Sequence, residues 1–133
     1  MAIIGIDHVQ VAITPGGEAQ ARAFYGGLLG LPEVAKPPAL AARGGCWFQA
    51  GLQQIHCGVE PAVAETRRHP GLAVDDLDAL AARLAAAGHP VTPDDGIPGV
   101  RRFHSVDPFG NRLEFVQHIQ DQTAGSPARR DGN

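Results

Sequence analysis

Ile4-Gly5-Ile6-Asp7-His8-Val9-Gln10-Val11-Ala12-Ile13 alternates apolar and polar side chains from Asp7 onward. Val9, Val11 and Ile13 share one face. His8, Gln10 and Ala12 share the other, the pattern of a half-buried strand. The chain returns to this arrangement 61 residues later, in His69-Pro70-Gly71-Leu72-Ala73-Val74. There His69 aligns with His8, Leu72 with Val11, Ala73 with Ala12 and Val74 with Ile13. A repeat of this kind divides the chain into two like halves, residues 3–60 and 69–118, joined by a linker over 60–68.

Each half continues with a helix. The first follows Thr14-Pro15-Gly16-Gly17 and carries Ala21, Phe24, Tyr25, Leu28 and Leu29 at helical spacing. The second is capped by Asp75 or Asp76, buries Leu77, Leu80, Ala81 and Leu84, and stops at Gly88. A hairpin closes each half. Cys46 to Ala50 and Gln53 to Val59 flank Gly51-Leu52; with Ala50 opposite Gln53, Trp47 faces His56 and Cys46 faces Cys57. Val100 to Val106 and Arg112 to His118 flank Asp107-Pro108-Phe109-Gly110-Asn111, a strong type I turn sequence. Phe103, Leu113 and Phe115 then point one way, and Arg102, His104, Arg112 and Glu114 the other. Short extra strands are expected near Glu33 to Lys36 and His89 to Thr92. The stretch from 121 to 133 is a polar tail without periodicity, read as disordered, which leaves residues 1–120 as one domain.

Composition narrows the function. The chain has 133 residues, 44% hydrophobic and 19% charged, which suits one globular domain. A formal charge of −3 argues against a nucleic-acid partner. Aromatic residues at 5% are too few for a base-stacking surface. No apolar run reaches the roughly 18 residues of a membrane span, and the first residues do not read as a signal peptide. Two cysteines without an export signal suggest a cytoplasmic setting and free thiols. Cys46 and Cys57 read better as buried thiols than as a disulfide.

The duplication has one chemical consequence. His8 and His69 hold equivalent places on the two first strands, and His56 and Glu114 near-equivalent places on the two last strands. Strand parity puts all four on the face away from the helices. If the halves pack with approximate two-fold symmetry, three imidazoles and a carboxylate converge, a ligand set for Zn, Ni, Co, Mn or Fe. A single such histidine would ordinarily be a solvated strand residue; the symmetric foursome is what points to a metal. His104 is either a substrate contact on that face or a polar residue beside Arg102. Trp47, beside His56, is either a substrate wall or packing. His89 is expected to cap helix carbonyls, and His118 to meet solvent.

Four stretches carry a family resemblance: Ile6-Asp7-His8-Val9, Phe24 to Leu31, His69 to Leu77, and Asp107 to Phe115. In them the chain resembles the vicinal oxygen chelate superfamily (glyoxalase/bleomycin resistance/dioxygenase). The resemblance implies an α+β fold of two βαβββ modules forming a curved, incomplete barrel around a metal. It also implies metal ligands at His8, His56, His69 and Glu114. His56 stands where glyoxalase I and the epimerases carry Glu or Gln. His8, His69 and Glu114 resemble the His-His-Glu set of the family's dioxygenases and fosfomycin-resistance transferases. Small members often form two-fold dimers with shared sites, so a homodimer is expected, with His8 and His56 meeting either His69 and Glu114 of their own chain or those of the partner.

The leading expectation is therefore a divalent-metal-dependent enzyme acting on a small bidentate oxygen substrate, of lyase, isomerase or dioxygenase type. Glu114 would be ligand or general base, with Gln10, Trp47, Gln54, Arg102 and His104 as substrate contacts. The alternative is a metal-free, small-molecule or drug-binding protein like the bleomycin-resistance members.

Overall fold

The computed structural model describes residues 1–119; the tail expected over 121–133 lies outside them. The chain runs β1 (His8–Ile13), α1 (Glu18–Ala21) continuing as a π-helix (Arg22–Leu28), β2 (Glu33–Val34), α2 (Pro38–Ala41), β3 (Cys46–Ala50) and β4 (Gln53–Val59). It then repeats the pattern with β5 (Gly71–Ala73), α3 (Leu77–Ala86), β6 (Thr92–Pro93), β7 (Val100–Val106) and β8 (Arg112–His118). Two four-stranded sheets result, ordered β1-β4-β3-β2 and β5-β8-β7-β6. In each, the first strand pairs parallel with the last, and the remaining pairs are antiparallel. This is the expected α+β duplication, and the sheets do not close into a barrel. Among the described residues no helix is long and apolar enough to cross a membrane.

Both hairpins adopt the register expected from their turns. Ala50 pairs with Gln53, Trp47 with His56 and Cys46 with Cys57; Val106 pairs with Arg112 and His104 with Glu114. The halves also correspond in register, since Gln10 lies opposite His56 and Gly71 opposite Glu114. Because side chains alternate with period two, these pairings send Val11, Ile13, Phe48, Ile55, Phe103, Leu113 and Phe115 into the core, where all are buried. The polar set of each strand is left on the opposite face.

Several local details differ from the sequence reading. The first helix is mostly π-helical, with Leu29 N–H donating to Phe24 O at 2.8 Å. The wider turn lets the consecutive Phe24 and Tyr25 both enter the core, and Gly26-Gly27 offers it little resistance. The extra strands are only Glu33–Val34 and Thr92–Pro93. β5 begins at Gly71, so His69 precedes it; Pro70 has no N–H with which to extend the ladder. The His89 ring hydrogen-bonds Val106 O at 3.0 Å and packs on Phe24, rather than capping α3 with its side chain. Asp76 is the N-cap of α3, accepting from Ala79 N at 3.0 Å.

The two modules meet around the turn before β8. Asp107 is buried and accepts from Phe109 N and Asn111 N, each at 2.9 Å, and from Asn111 Nδ2 at 2.7 Å. Tyr25 Oη, from the first module's helix, donates to Asp107 Oδ2 at 2.7 Å. Asn111 Nδ2 reaches Ala12 O at 2.6 Å. Gly110 takes φ +91°, a left-handed conformation that a residue with a Cβ rarely adopts. A Cβ on Gly17 would lie 2.6 Å from the Phe109 ring, so glycine there permits the close approach of the modules.

Replacing Asp107 by Ala strands several buried donors at once. We expect a loss of about 3 kcal/mol in urea unfolding, against about 1 kcal/mol for Tyr25→Phe. Equal, sub-kilocalorie losses for both would show that the turn is not what joins the modules.

Candidate functional site

Residues of β8, β7 and the approach to β5 build one polar cluster. Glu114 and His104 are direct cross-strand partners, so their side chains stand side by side. His69 comes in from the linker ahead of β5. The ligand atoms of His69, His104 and Glu114 all lie within 4.8 Å of one another. His69 Nε2 is 3.0 Å from Glu114 Oε2, and its Nδ1 is 2.8 Å from Arg67 O.

These two contacts constrain the imidazole. A carbonyl oxygen only accepts, so Nδ1 carries a proton. In the neutral ring Nε2 then presents a lone pair to a carboxylate oxygen, and two acceptors face each other at hydrogen-bond distance. A second proton or a cation must lie between them. A backbone carbonyl that fixes the tautomer of a histidine in this way is a common feature behind metal ligands. His69 and Glu114 supply an imidazole and a carboxylate, a borderline-hard pair suited to Zn or a neighbouring transition metal, with the His104 imidazole close beside them. The residues present therefore fit a divalent metal.

The electrostatics are shared among several groups. Arg102 Nη1 donates to Glu114 Oε1 at 2.7 Å, and Arg102 Nη2 pairs with Asp94 at 2.9 Å. The Arg102 hydrogen bond is the main reason the Glu114 carboxyl lies below its ordinary range, with His69 adding to it. Burial, and next the charge of Arg112, push the His104 imidazole below its ordinary range. Its lone pair is thus available at neutral pH.

The first module contributes a separate arrangement. His8 stacks on His56 with ring centroids 4.1 Å apart, and His56 stacks on Trp47 at 3.9 Å and 3°. His56 Nε2 donates to Gln54 Oε1 at 2.9 Å, and His8 Nδ1 lies 2.9 Å from Asp7 Oδ2. Burial, then the neighbouring His8, lower the His56 imidazole. Among the described residues, His8 and His56 are not part of the His69–His104–Glu114 cluster. Gln10 lines a cavity of about 390 Å³ together with His69 and Arg112. A second cavity, about 710 Å³, is lined by His104, Arg112 and Thr92 on the sheet side and by Val63 and Arg67 of the linker.

So His69 and Glu114 are brought together, His8 and His56 are brought together elsewhere, and Arg102 binds Glu114 itself. Sequence reasoning took His104 only as a substrate contact or surface residue. The signal that could have ranked it higher is its position opposite Glu114 in a hairpin whose register was already legible.

Residues 5–115 match the family described as the Glyoxalase/Bleomycin resistance protein/Dioxygenase superfamily. No curated protein matches the chain in sequence. Among solved structures, a glyoxalase family protein from Bacillus anthracis is 47% identical, with a TM-score of 0.84, over 89% of this chain and 98% of that one. Lactoylglutathione lyase from Agrobacterium tumefaciens has 21% identity and a TM-score of 0.69, over 87% and 95%. An antibiotic-binding protein from a Streptomyces species has 24% identity and a TM-score of 0.69, over 89% and 98%. The last two show the fold alone.

Titration with zinc should find His69→Ala and Glu114→Gln binding at least about 100-fold more weakly than the native chain, beyond the usual effect of an outer-shell change. Native affinity should fall as pH drops toward 5, because the imidazoles must be neutral to ligate. Unchanged affinity in both variants would remove the cluster as a metal site.

Proposed function

The chain belongs to the glyoxalase/bleomycin resistance/dioxygenase superfamily, and on that premise we propose that it is a divalent-metal-dependent enzyme acting on a small bidentate oxygen substrate. The reaction would be of lyase, isomerase or dioxygenase type. The observation that carries this reading is His69 Nε2 facing Glu114 Oε2 at 3.0 Å while Nδ1 is held by Arg67 O. A metal there would supply Lewis-acid polarisation of substrate oxygens. His69 and Glu114 would hold it, with His8 and His56 completing the set. Arg102 keeps Glu114 ionised and fixes one carboxylate oxygen, leaving the other directed at His69. Glu114 would either stay a ligand or release Oε2 to take a proton from a substrate carbon, since Oε1 is held by Arg102. Gln10, Gln54, Trp47 and His104 would contact substrate.

The separation of the two histidine groups supports a homodimer in which His8 and His56 of one subunit meet His69 and Glu114 of the other. Supporting this, Ile3, Ile4, Ile6 and Leu52 are exposed, and β1 and β5 lie at the edges of their sheets. A cytoplasmic setting, which keeps thiols reduced, suits the unbridged Cys46 and Cys57.

A second reading has one observation in its favour. The Arg102 guanidinium pairs with Glu114 at 2.7 Å and balances its charge, as a metal-free small-molecule or drug-binding protein would require.

Elemental analysis of protein purified without chelator separates the two: we expect about one metal per subunit and a lower Tm after chelation. No metal and an unchanged Tm would favour the binding protein. Subunit mixing tests the shared site. His8→Ala and Glu114→Gln proteins, unfolded and refolded together, should regain roughly a quarter of the native sites, because a mixed dimer holds one intact site of two. Sites contained within one chain would regain none.

A further inference from the structure

Among the described residues, Arg112 is a cation without a counter-ion. Arg22, Arg101 and Arg102 each pair with a carboxylate. Arg43, Arg67, Arg68 and Arg83 have no carboxylate partner among the described residues but are exposed to water. Arg112 is half-buried, has no ion pair among the described residues, and its Nε is buried without a hydrogen-bond partner. A partly desolvated guanidinium with an unused buried N–H is costly to the fold and calls for a ligand.

Its position says where that ligand would be. Arg112 opens β8 two residues before Glu114, so the two side chains share a face about 7 Å apart along the strand. It lines both the 710 Å³ cavity that holds His104 and the 390 Å³ cavity that holds His69 and Gln10. Arg67 adds a second guanidinium to the larger cavity. Glu65, the carboxylate that also lines it, pairs with neither arginine among the described residues. The larger volume suits a small organic molecule.

Resting on the metalloenzyme reading above, we propose that Arg112 is the specificity-determining anchor for a carboxylate on the substrate. The substrate class is then a small organic acid that carries the metal-chelating oxygen pair at one end and an anionic carboxylate at the other. Arg112 takes the distal carboxylate, and a guanidinium suits it because two N–H groups meet two oxygens.

Malate and lactate serve as probes, since both chelate through an α-hydroxy acid and only malate has a second carboxylate. Calorimetry on zinc-loaded native protein should show malate binding at least about tenfold more tightly than lactate. That advantage should vanish in Arg112→Met and survive in part in Arg112→Lys, with zinc content unchanged in both. No preference for malate in the native protein overturns the proposal whether or not the variants fold. So does a preference that persists in folded Arg112→Met. If the protein takes up no metal yet chelator-treated samples still prefer malate through Arg112, the carboxylate anchor stands and the metalloenzyme reading fails.

Discussion

The register of β8 governs everything on the polar face, and a buried carboxylate holds that register. Asp107 accepts backbone and side-chain donors from its own turn and the Tyr25 hydroxyl from the other module. The turn therefore has one geometry, and Val106 must sit opposite Arg112. A slip of one residue would send Arg112 and Glu114 into the core and Leu113 and Phe115 into water. The same interaction joins the modules, so the fold of one half and the site of the other are not independent. Burial and the adjoining Asp107 also raise the Tyr25 hydroxyl well above the ordinary range, which keeps it a donor.

The face so positioned is rich in cations for a chain of net negative charge. Arg102 and Arg112 flank the Glu114 carboxylate, with the His69 and His104 imidazoles beside it. Arg102 is matched by Asp94 and Glu114, and His104 is held neutral. Among the described residues, what remains uncompensated is concentrated at Arg112, beside the larger cavity. An electropositive recess with one ionised ligand suits an anionic, oxygen-rich small molecule better than a cationic one. The first module offers a contrasting surface, where the Trp47, His56 and His8 rings stack face to face.

Much of this was legible in the order of residues. Alternation in 7–13, its echo at 69–74, and the two hairpin turns are local signals, and each maps directly onto a strand pairing. The superfamily followed from the same stretches. The π-helical widening of Arg22–Leu28 was not legible, because helical spacing of apolar residues does not distinguish an α-turn from a slightly wider one. The ring interactions of His89 and the short reach of β5 also depended on neighbours far along the chain. The role of His104 stayed open for a different reason. Parity placed it on the right face, but a lone histidine beside an arginine has many uses, and only its proximity to His69 narrows them.

The sequence by itself determined which side chains share a face. That is a property of the two-residue period of extended chain and of turns whose geometry is written in Asp, Pro and Gly. It could not determine which faces meet. Whether His69 reaches Glu114, and whether His8 and His56 stand apart from them, depends on how two sheets pack across a buried Tyr–Asp contact and on where a linker runs. Those distances come from the sum of many weak packing terms between segments far apart in the chain, and no local pattern encodes them.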